Sequence, residues 1–327
     1  MPSIFNALPG IEVPVGAITK SLSKMWADTA ARGEPAPASD DAKATQVNFV
    51  IHLGLGTTPE DAAAQFQTAE KFSRRYPSRV VVLCPLRDDA GVTELRAKVY
   101  GECFLGKSKG DTRCVEFVAL SYPVAAREFL ENQVSICLST DLPLYYWAHR
   151  FTDTARLADY RYLLTRARRV LLDSAFAPVE AVTQNWPHPE SVRDLAYARI
   201  LPVRQSLGQF LSRYPKEVLC SGLKSVTVSH GSEQPAEARV LLQWVKDRIG
   251  LCGENRAVFS CVSPAGFPPV ALSLTFDYEG KKTFSWKGSF RSGIACFEAD
   301  FGTGRTELKA ALSMLPPEAA LSEAMFF

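Results

Sequence analysis

Residues 47–84 read as strand, glycine turn, capped helix and strand, and this succession most narrows the folds open to the chain. Val47 to Leu53 is an apolar run of strand length, and Gly54-Leu55-Gly56-Thr57 turns it. Thr58 stands at a helix N-cap, Pro59 at the first helical position, and Glu60 and Asp61 in the first turn. A hydroxyl there accepts a free amide, proline gives up a donor that has no partner, and carboxylates meet the positive end of the helix dipole. Ala63, Phe66, Ala69 and Phe72 recur at helical spacing. Val80 to Cys84 is apolar at every position, the pattern of a strand covered on both faces of a parallel sheet. Further strand-like runs stand at Cys114–Leu120, Ser135–Leu138 and Val170–Asp173, with a helical stretch at Leu157–Ala167 before the last. Alternating strands and helices imply an α/β layer with a mostly parallel sheet.

The flanking segments differ. Residues 1–45 carry one amphipathic helix, marked by Ile18, Leu22, Met25 and Trp26, and a proline- and alanine-rich linker over 31–45. The α/β domain is expected over 46–185 and a second domain over 186–327. The second opens with a helical stretch, Pro189–Leu211, interrupted near Pro202. A strand at Leu223–Val228 and a helix at Ala236–Ile249 follow. Short strands come next at Val258–Val262, Val270–Phe276, Thr283–Trp286 and Ile294–Glu298. Leu272, Leu274 and Phe276 alternate with polar residues, and Asp277-Tyr278-Glu279-Gly280 is a hairpin turn. The expected fold class is α/β: a mostly parallel N-terminal lobe with an α+β C-terminal lobe carrying an antiparallel meander. A last helix is expected at Glu307–Leu315, stopped by Pro316-Pro317.

Composition excludes several functions. The 327 residues are 46% hydrophobic and 22% charged, enough for a sizeable core. A net charge of +2 gives no general attraction to nucleic acid or to an anionic membrane. The longest apolar stretch, Val80–Leu86, falls far short of the ~20 residues of a membrane helix. No basic stretch and apolar run open the chain, so a cytoplasmic protein is expected. None of the eight cysteines is spaced as Cys-x-x-Cys, and no histidine pair has zinc-like spacing, so neither a metal nor a cofactor is expected. The cysteines read as free thiols, most of them in apolar runs. Cys252 and Cys261, separated by a short loop with Gly253, are the candidate redox pair.

No catalytic set stands out. The four histidines are scattered, and there is no Gly-x-Ser-x-Gly elbow. Gly54-x-Gly56 lies between strand and helix, as in nucleotide sites. The third glycine is absent, and Glu60 and Asp61 would repel a phosphate, so a tight turn is the better reading. Asp141-Leu142-Pro143 leads into Tyr145, Tyr146 and Trp147, read as aromatics beyond a strand end, where α/β folds bind ligands. Packing within the protein is the competing reading of those rings. Arg150, Arg156, Arg161, Arg166, Arg168 and Arg169 make residues 150–169 net positive, and Arg193, Arg199, Arg204 and Arg213 follow. Such a run is either a solvated face or an anchor for a carboxylate, a phosphate or a protein partner.

Six segments, in order, resemble the OpcA family of glucose-6-phosphate dehydrogenase assembly proteins. They are Cys114-Val115-Glu116, Asp141-Leu142-Pro143 with Trp147, Arg169–Ser174, Asp194–Arg199, Leu201–Arg204 and Ala238–Val245. The resemblance runs from about residue 47 to about 315. This chain has Tyr197, Val203 and the pair Tyr145-Tyr146 where the family is richer in tryptophan. The resemblance implies a non-catalytic partner of glucose-6-phosphate dehydrogenase that helps it reach its active form for NADPH production. Asp141, Trp147, Asp173, Arg199 and Arg204 are then the candidates for partner contact or for the junction between lobes. The alternative is a sugar-phosphate- or nucleotide-binding enzyme or sensor built on the Gly54 loop.

Overall fold

The computed structural model describes residues 4–36, 45–87, 91, 94–105, 112–151, 157–178, 181, 184–253 and 256–327. The expected linker at 31–45 lies largely outside them, as do Asp153 and Arg156 of the arginine-rich segment. The chain forms two compact units, residues 1–195 with 321–327, and residues 196–320.

The first unit contains α1 (Ile4–Ala7), β1 (Ile11–Val13), α2 (Ile18–Ala31), β2 (Val47–Leu53), α3 (Pro59–Arg75) and β3 (Ser78–Leu86). It continues through β4 (Arg96–Leu105), β5 (Thr112–Pro123), α4 (Leu130–Cys137), β6 (Leu144–His149), α5 (Arg161–Arg166), β7 (Ala167–Leu172) and β8 (Val192–Asp194). These strands form one eight-stranded sheet in the order β1-β4-β5-β3-β2-β6-β7-β8. β1 and β4 are antiparallel to their neighbours, and every other pair is parallel. Counting only the parallel strands in chain order, the sequence across the sheet is 3-2-1-4-5-6. That is the order of a doubly wound α/β sheet, whose direction of winding reverses between its first and fourth strands. Here those strands are β2 and β6.

Both faces of the sheet are covered, as the continuous apolar strands require. On one face Phe49, Val80 and Phe117 share a row in register, and Phe66 and Phe72 of α3 pack against it. Each fully buried phenylalanine contributes roughly 1.5–3 kcal/mol. On the other face Val50, Val81, Val118 and Tyr146 meet Ile18 and Leu22 of α2, Leu130 and Val134 of α4, and Leu163 and Leu164 of α5. Glu116 fixes α2 to this face. Its carboxylate accepts Trp26 Nε1–H at 2.8 Å and both Nε and Nη2 of Arg79, at 3.1 and 2.9 Å.

Three local expectations are corrected here. Ser135–Leu138 belongs to helix α4, because Leu130, Val134 and Cys137 share a buried face at helical spacing. The aromatics of Leu144–His149 form a strand buried at every position, so Asp141 precedes β6 and does not follow a strand. Asn48 holds that entry: Nδ2 donates to the carbonyls of Ser139 and Leu142 at 2.7 and 3.1 Å, and Oδ1 accepts Ser139 N–H at 3.0 Å. Cys103 and Cys114, expected as free thiols, face each other across β4 and β5 and form a disulfide with Cα atoms 4.0 Å apart.

The second unit begins within α6 (Leu195–Arg199) and holds α7 (Leu201–Leu211), α8 (Lys216–Cys220), β9 (Leu223–His230), α9 (Pro235–Gly250) and β10 (Val258–Val262). β11 (Ala271–Tyr278), β12 (Thr283–Ser289), β13 (Ile294–Asp300) and β14 (Arg305–Ala311) complete it. Its six-stranded sheet runs β10-β9-β11-β12-β13-β14, antiparallel except where β10 meets β9. Leu207 and Phe210 of α7 and Leu241 and Val245 of α9 join a core with Val226, Leu274, Phe276, Trp286 and Phe297.

The helix expected at Glu307–Leu315 is strand β14, an edge strand whose pairing with β13 outweighs the helix preference of Glu, Leu, Lys and Ala. Pro316-Pro317 ends no helix. Pro317 opens α10 (Pro317–Phe326), the first-turn position that suits proline. Within the stretch expected to be helical from Pro189, Val192–Asp194 is a strand paired with β7. From Leu321 onward the chain belongs to the first unit, where Phe326 packs on Phe72, Tyr76 and Tyr145.

Candidate functional site

The point where the winding reverses lies past the carboxyl ends of β2 and β6, the place where open α/β sheets bind ligands. Three short segments meet there. β2 runs into Gly54, β6 ends in His149-Arg150, and Thr58 starts α3. The Thr58 hydroxyl accepts the Asp61 amide at 3.2 Å, the cap expected from sequence.

The three segments are closed onto one another. Gly54 N–H donates to the His149 carbonyl at 2.7 Å. A Cβ at Gly54 would stand 2.2 Å from the Arg150 carbonyl oxygen, so only glycine fits. Arg150 itself has φ of 52°, a left-handed conformation rare for a residue with a side chain. That turn brings its guanidinium back to α3. Arg150 Nε donates to Asp61 Oδ2 at 2.6 Å, and His149 Nε2–H donates to the same oxygen at 2.7 Å. Gln65 Nε2 donates to the other oxygen at 3.0 Å. The Arg150 guanidinium also lies over the Phe176 ring, 4.0 Å from its centroid.

Burial works to raise the Asp61 carboxyl pKa. Hydrogen bonds from His149 and Gln65, with the charge of Arg150, outweigh it and hold the group below the usual carboxylate range. Burial also pushes the His149 pKa down, against the pull of Asp61. Its Nδ1 is buried without a hydrogen-bond partner. A protonated ring would leave an N–H there unsatisfied, so the neutral Nε2–H tautomer fits the site, and Arg150 supplies the charge that balances Asp61. The anion at the start of α3 is therefore the protein's own. Among the described residues no group of His, Cys, Asp or Glu is arranged to hold a metal.

Behind the junction lies a buried polar chain. His52 Nδ1 contacts Tyr146 Oη and its Nε2 contacts Tyr122 Oη, each at 2.7 Å. Tyr122 Oη lies 2.7 Å from Tyr160 Oη. Full burial drives the His52 pKa down to about 3, so the ring is neutral.

The structure brings together only some of the residues singled out by sequence. Trp147 is buried beside the junction, stacked on Phe49 and 5.3 Å from the His149 ring. Asp173 ends β7, where its carboxylate accepts the Ala175 amide at 3.0 Å and its charge is felt by His149. Asp141 stands at the opposite end of the sheet, ahead of β6. Arg199 and Arg204 belong to the second unit. Arg199 Nε donates to Glu237 Oε1 at 2.6 Å, and Arg204 lies 3.7 Å above the Tyr197 ring. Cys261 sits in β10, while Cys252 is hydrogen-bonded with Cys220, whose thiol burial and that contact push up to about 11. In the sequence Asp61 stands as a dipole partner of its own helix and His149 as an isolated histidine. Counting the parallel strands was the signal that links them.

Residues 69–185 match a family model described as glucose-6-phosphate dehydrogenase subunit N-terminal domain, of the OpcA assembly family. A protein of Nostoc punctiforme named "Putative OxPP cycle protein OpcA" is 23% identical over 215 residues, 59% of this chain. The match covers 43% of that protein, so the chain spans well under half the length of this curated relative. Among solved structures, KijD10, a 3-ketoreductase from Actinomadura kijaniata in complex with TDP-benzene and NADP, is 9% identical over 86% of this chain and 88% of that one. Its TM-score of 0.35 is too low for the likeness to carry an argument. The family match takes in three of the six motif segments, Cys114–Glu116, Asp141–Trp147 and Arg169–Ser174. Over residues 69–185 the chain is thus similar to the OpcA family.

Proposed function

We propose that the chain is a non-catalytic assembly factor that binds glucose-6-phosphate dehydrogenase and favours its active oligomer, supporting NADPH production in the oxidative pentose phosphate pathway of the cytoplasm. The family match over residues 69–185 carries this reading. The name of the Nostoc relative agrees with it. No helix among the described residues is long and apolar enough to cross a membrane.

The geometry lends support through the junction of β2, β6 and α3. A doubly wound sheet offers a crevice there, and this chain fills it with Asp61, His149 and Arg150. The rival reading, a nucleotide or sugar phosphate on the Gly54 loop, would have to displace a carboxylate already held by three donors. An assembly factor needs no such crevice. It acts by binding the active oligomer more tightly than the inactive form, and moving that balance from 1:99 to 99:1 takes about 5.5 kcal/mol of differential binding.

The test is the specific activity of the dehydrogenase from the same organism, alone and with an equimolar amount of this chain, with its mass followed by light scattering. A rise in activity together with a larger oligomer is expected. Unchanged activity and mass at micromolar concentrations, in reducing and in oxidising buffer, would refute the proposal.

A further inference from the structure

The six-stranded sheet of the second unit ends on one side in β14, which among the described residues is hydrogen-bonded as a strand to β13 alone. On an edge strand every other N–H and C=O points outward without a ladder partner. Folded proteins commonly blunt such an edge with proline, a bulge or a very short strand. β14 uses none of these. Its seven residues include no proline, and its register with β13 is unbroken from Arg305 to Ala311. The chain is described without a break from 256 to 327, on both sides of this strand.

The two faces of β14 differ. Thr306, Leu308 and Ala310 stand opposite Ala299, Phe297 and Ala295, which are buried, so they carry the core face of the sheet to its edge. There Leu308 is left 37% exposed. Arg305, Glu307 and Lys309 stand opposite Asp300, Glu298 and Cys296 on the other face, and all three are exposed. Glu298 and Glu307 are thus carboxylates side by side, and one guanidinium serves both. Arg305 Nη2 lies 2.7 Å from Glu307 and 3.5 Å from Glu298. Lys309 faces Cys296, and the next residue in register beyond it is another cation, Lys287 of β12. An excess of carboxylate and an excess of cation therefore stand two residues apart on one strand.

An antiparallel copy of β14 would bring the two together. Residues directly opposite in such a pair share a face, so a two-fold axis normal to the sheet must pass through one residue of the strand. Set on Leu308, the middle of the strand, the axis pairs Leu308 with Leu308, Glu307 with Lys309, Thr306 with Ala310 and Arg305 with Ala311. Set on Glu307 or on Lys309, it opposes like charges. Set on Thr306, it leaves Leu308 to Ala311 opposite the bend before the strand. Charge and length agree on Leu308.

We propose that the chain forms a two-fold dimer through β14, its two six-stranded sheets joined into one, with Leu308 against Leu308 on the core face and two Glu307–Lys309 pairs on the other. Opposite residues have Cβ atoms about 4.5–5.5 Å apart, within reach of a carboxylate and an ammonium. Each Lys309 then adds a second cation to the Glu298–Glu307 carboxylates across the seam. The contact uses the same strand on both sides and closes on itself, so it stops at two chains. A seam of one strand is small for a stable interface, so dissociation in the micromolar range is expected. This dimer does not rest on the role in dehydrogenase assembly.

Sedimentation equilibrium of the full chain alone, over a concentration series through the micromolar range, tests it. The mass should climb from one chain toward two. Lys309→Glu sets carboxylates against Glu307 at both symmetric positions, and Glu307→Lys does the same with cations. Each should weaken dimerisation at least about tenfold, with the far-ultraviolet circular dichroism of the parent, since both positions are exposed. An equimolar mixture of the two single variants should recover the dimer, because the carboxylates of one chain then face the ammonium groups of the other. A mass of one chain throughout the series would overturn the proposal. So would parental dimerisation in either single variant. Failure of the mixture to recover the dimer would overturn the pairing of Glu307 with Lys309.

Discussion

His52 makes the stability of the first unit depend on acid in a way that can be calculated and tested. Its ring is fully buried between Tyr146 and Tyr122, and its folded pKa lies at about 3 against 6.5 for a solvated imidazole. The folded value is the lower one, so the unfolded chain takes up the proton first. The stabilisation is complete above pH ~6.5, falls by about 1.4 kcal/mol per pH unit below it, and stops falling near pH 3. The total is ~5 kcal/mol, of which about 2 kcal/mol is lost between pH 7 and pH 5. His52→Gln removes the titrating group and keeps one polar contact. At pH 7 it should cost about 1–3 kcal/mol, for the tyrosine hydroxyl left without a partner.

The measurement is urea unfolding of parent and variant at pH 7, 6, 5 and 4, followed by tryptophan fluorescence. The tryptophans are common to both proteins, so the comparison isolates residue 52. Other titrating groups, His149 among them, cancel for the same reason. The gap between parent and variant should narrow by ~2 kcal/mol from pH 7 to pH 5 and come close to closing, or reverse, by pH 4. A gap that stays constant over this range would mean that the buried ring accepts its proton as readily folded as unfolded. The account of a neutral, enclosed histidine would then fail.

Asp61→Asn should cost about 1–3 kcal/mol at pH 7, because Arg150 and His149 lose the charge they hold. The folded pKa of Asp61 is lowered, so its contribution is present above the usual carboxylate value and disappears as pH falls through the folded one. Urea unfolding at pH 7 and pH 3 should show the penalty shrinking at the lower pH. Gly54→Ala forces a methyl group to 2.2 Å from the Arg150 carbonyl oxygen and should lower stability by about 3 kcal/mol or more, read as a fall in the urea midpoint at unchanged slope. Glu116→Ala leaves Arg79 and the Trp26 indole N–H unpaired and should cost about 3–5 kcal/mol, with proteolysis within α2 rising in parallel.

What the sequence made legible was local. The Thr58 cap, the Pro59 start, the apolar stripe of α3 and the strands on either side of it are written in contiguous residues, and each was found where expected. The errors arose where a distant partner decides. Arg305–Ala311 has the composition of a helix and becomes a strand because β13 offers it a ladder. Leu144–His149 carries three bulky aromatics, which by sequence suit a binding surface and internal packing equally. They are buried because strands lie on both sides of β6 and covered layers lie on both faces. The disulfide had no local sign, since Cys103 and Cys114 become neighbours only through the register of β4 against β5. The junction was hidden for the same reason. Asp61 and His149 are 88 residues apart, and only the parallel pairing of β2 with β6 places them side by side.

The junction also shows how strand order and function can part. A doubly wound sheet presents, where its winding reverses, a helix start with positive partial charge and a gap between two strand ends. In this chain a first-turn carboxylate supplies the anion, and its donors are His149 at the end of β6, Arg150 just beyond it and Gln65 of α3. Gly54 is then needed for closure, not for the approach of a phosphate. The residue that makes β2 resemble a nucleotide-binding strand is the one that lets the Arg150 carbonyl fill the gap. A ligand at this place would have to break a buried charge pair before making any contact of its own.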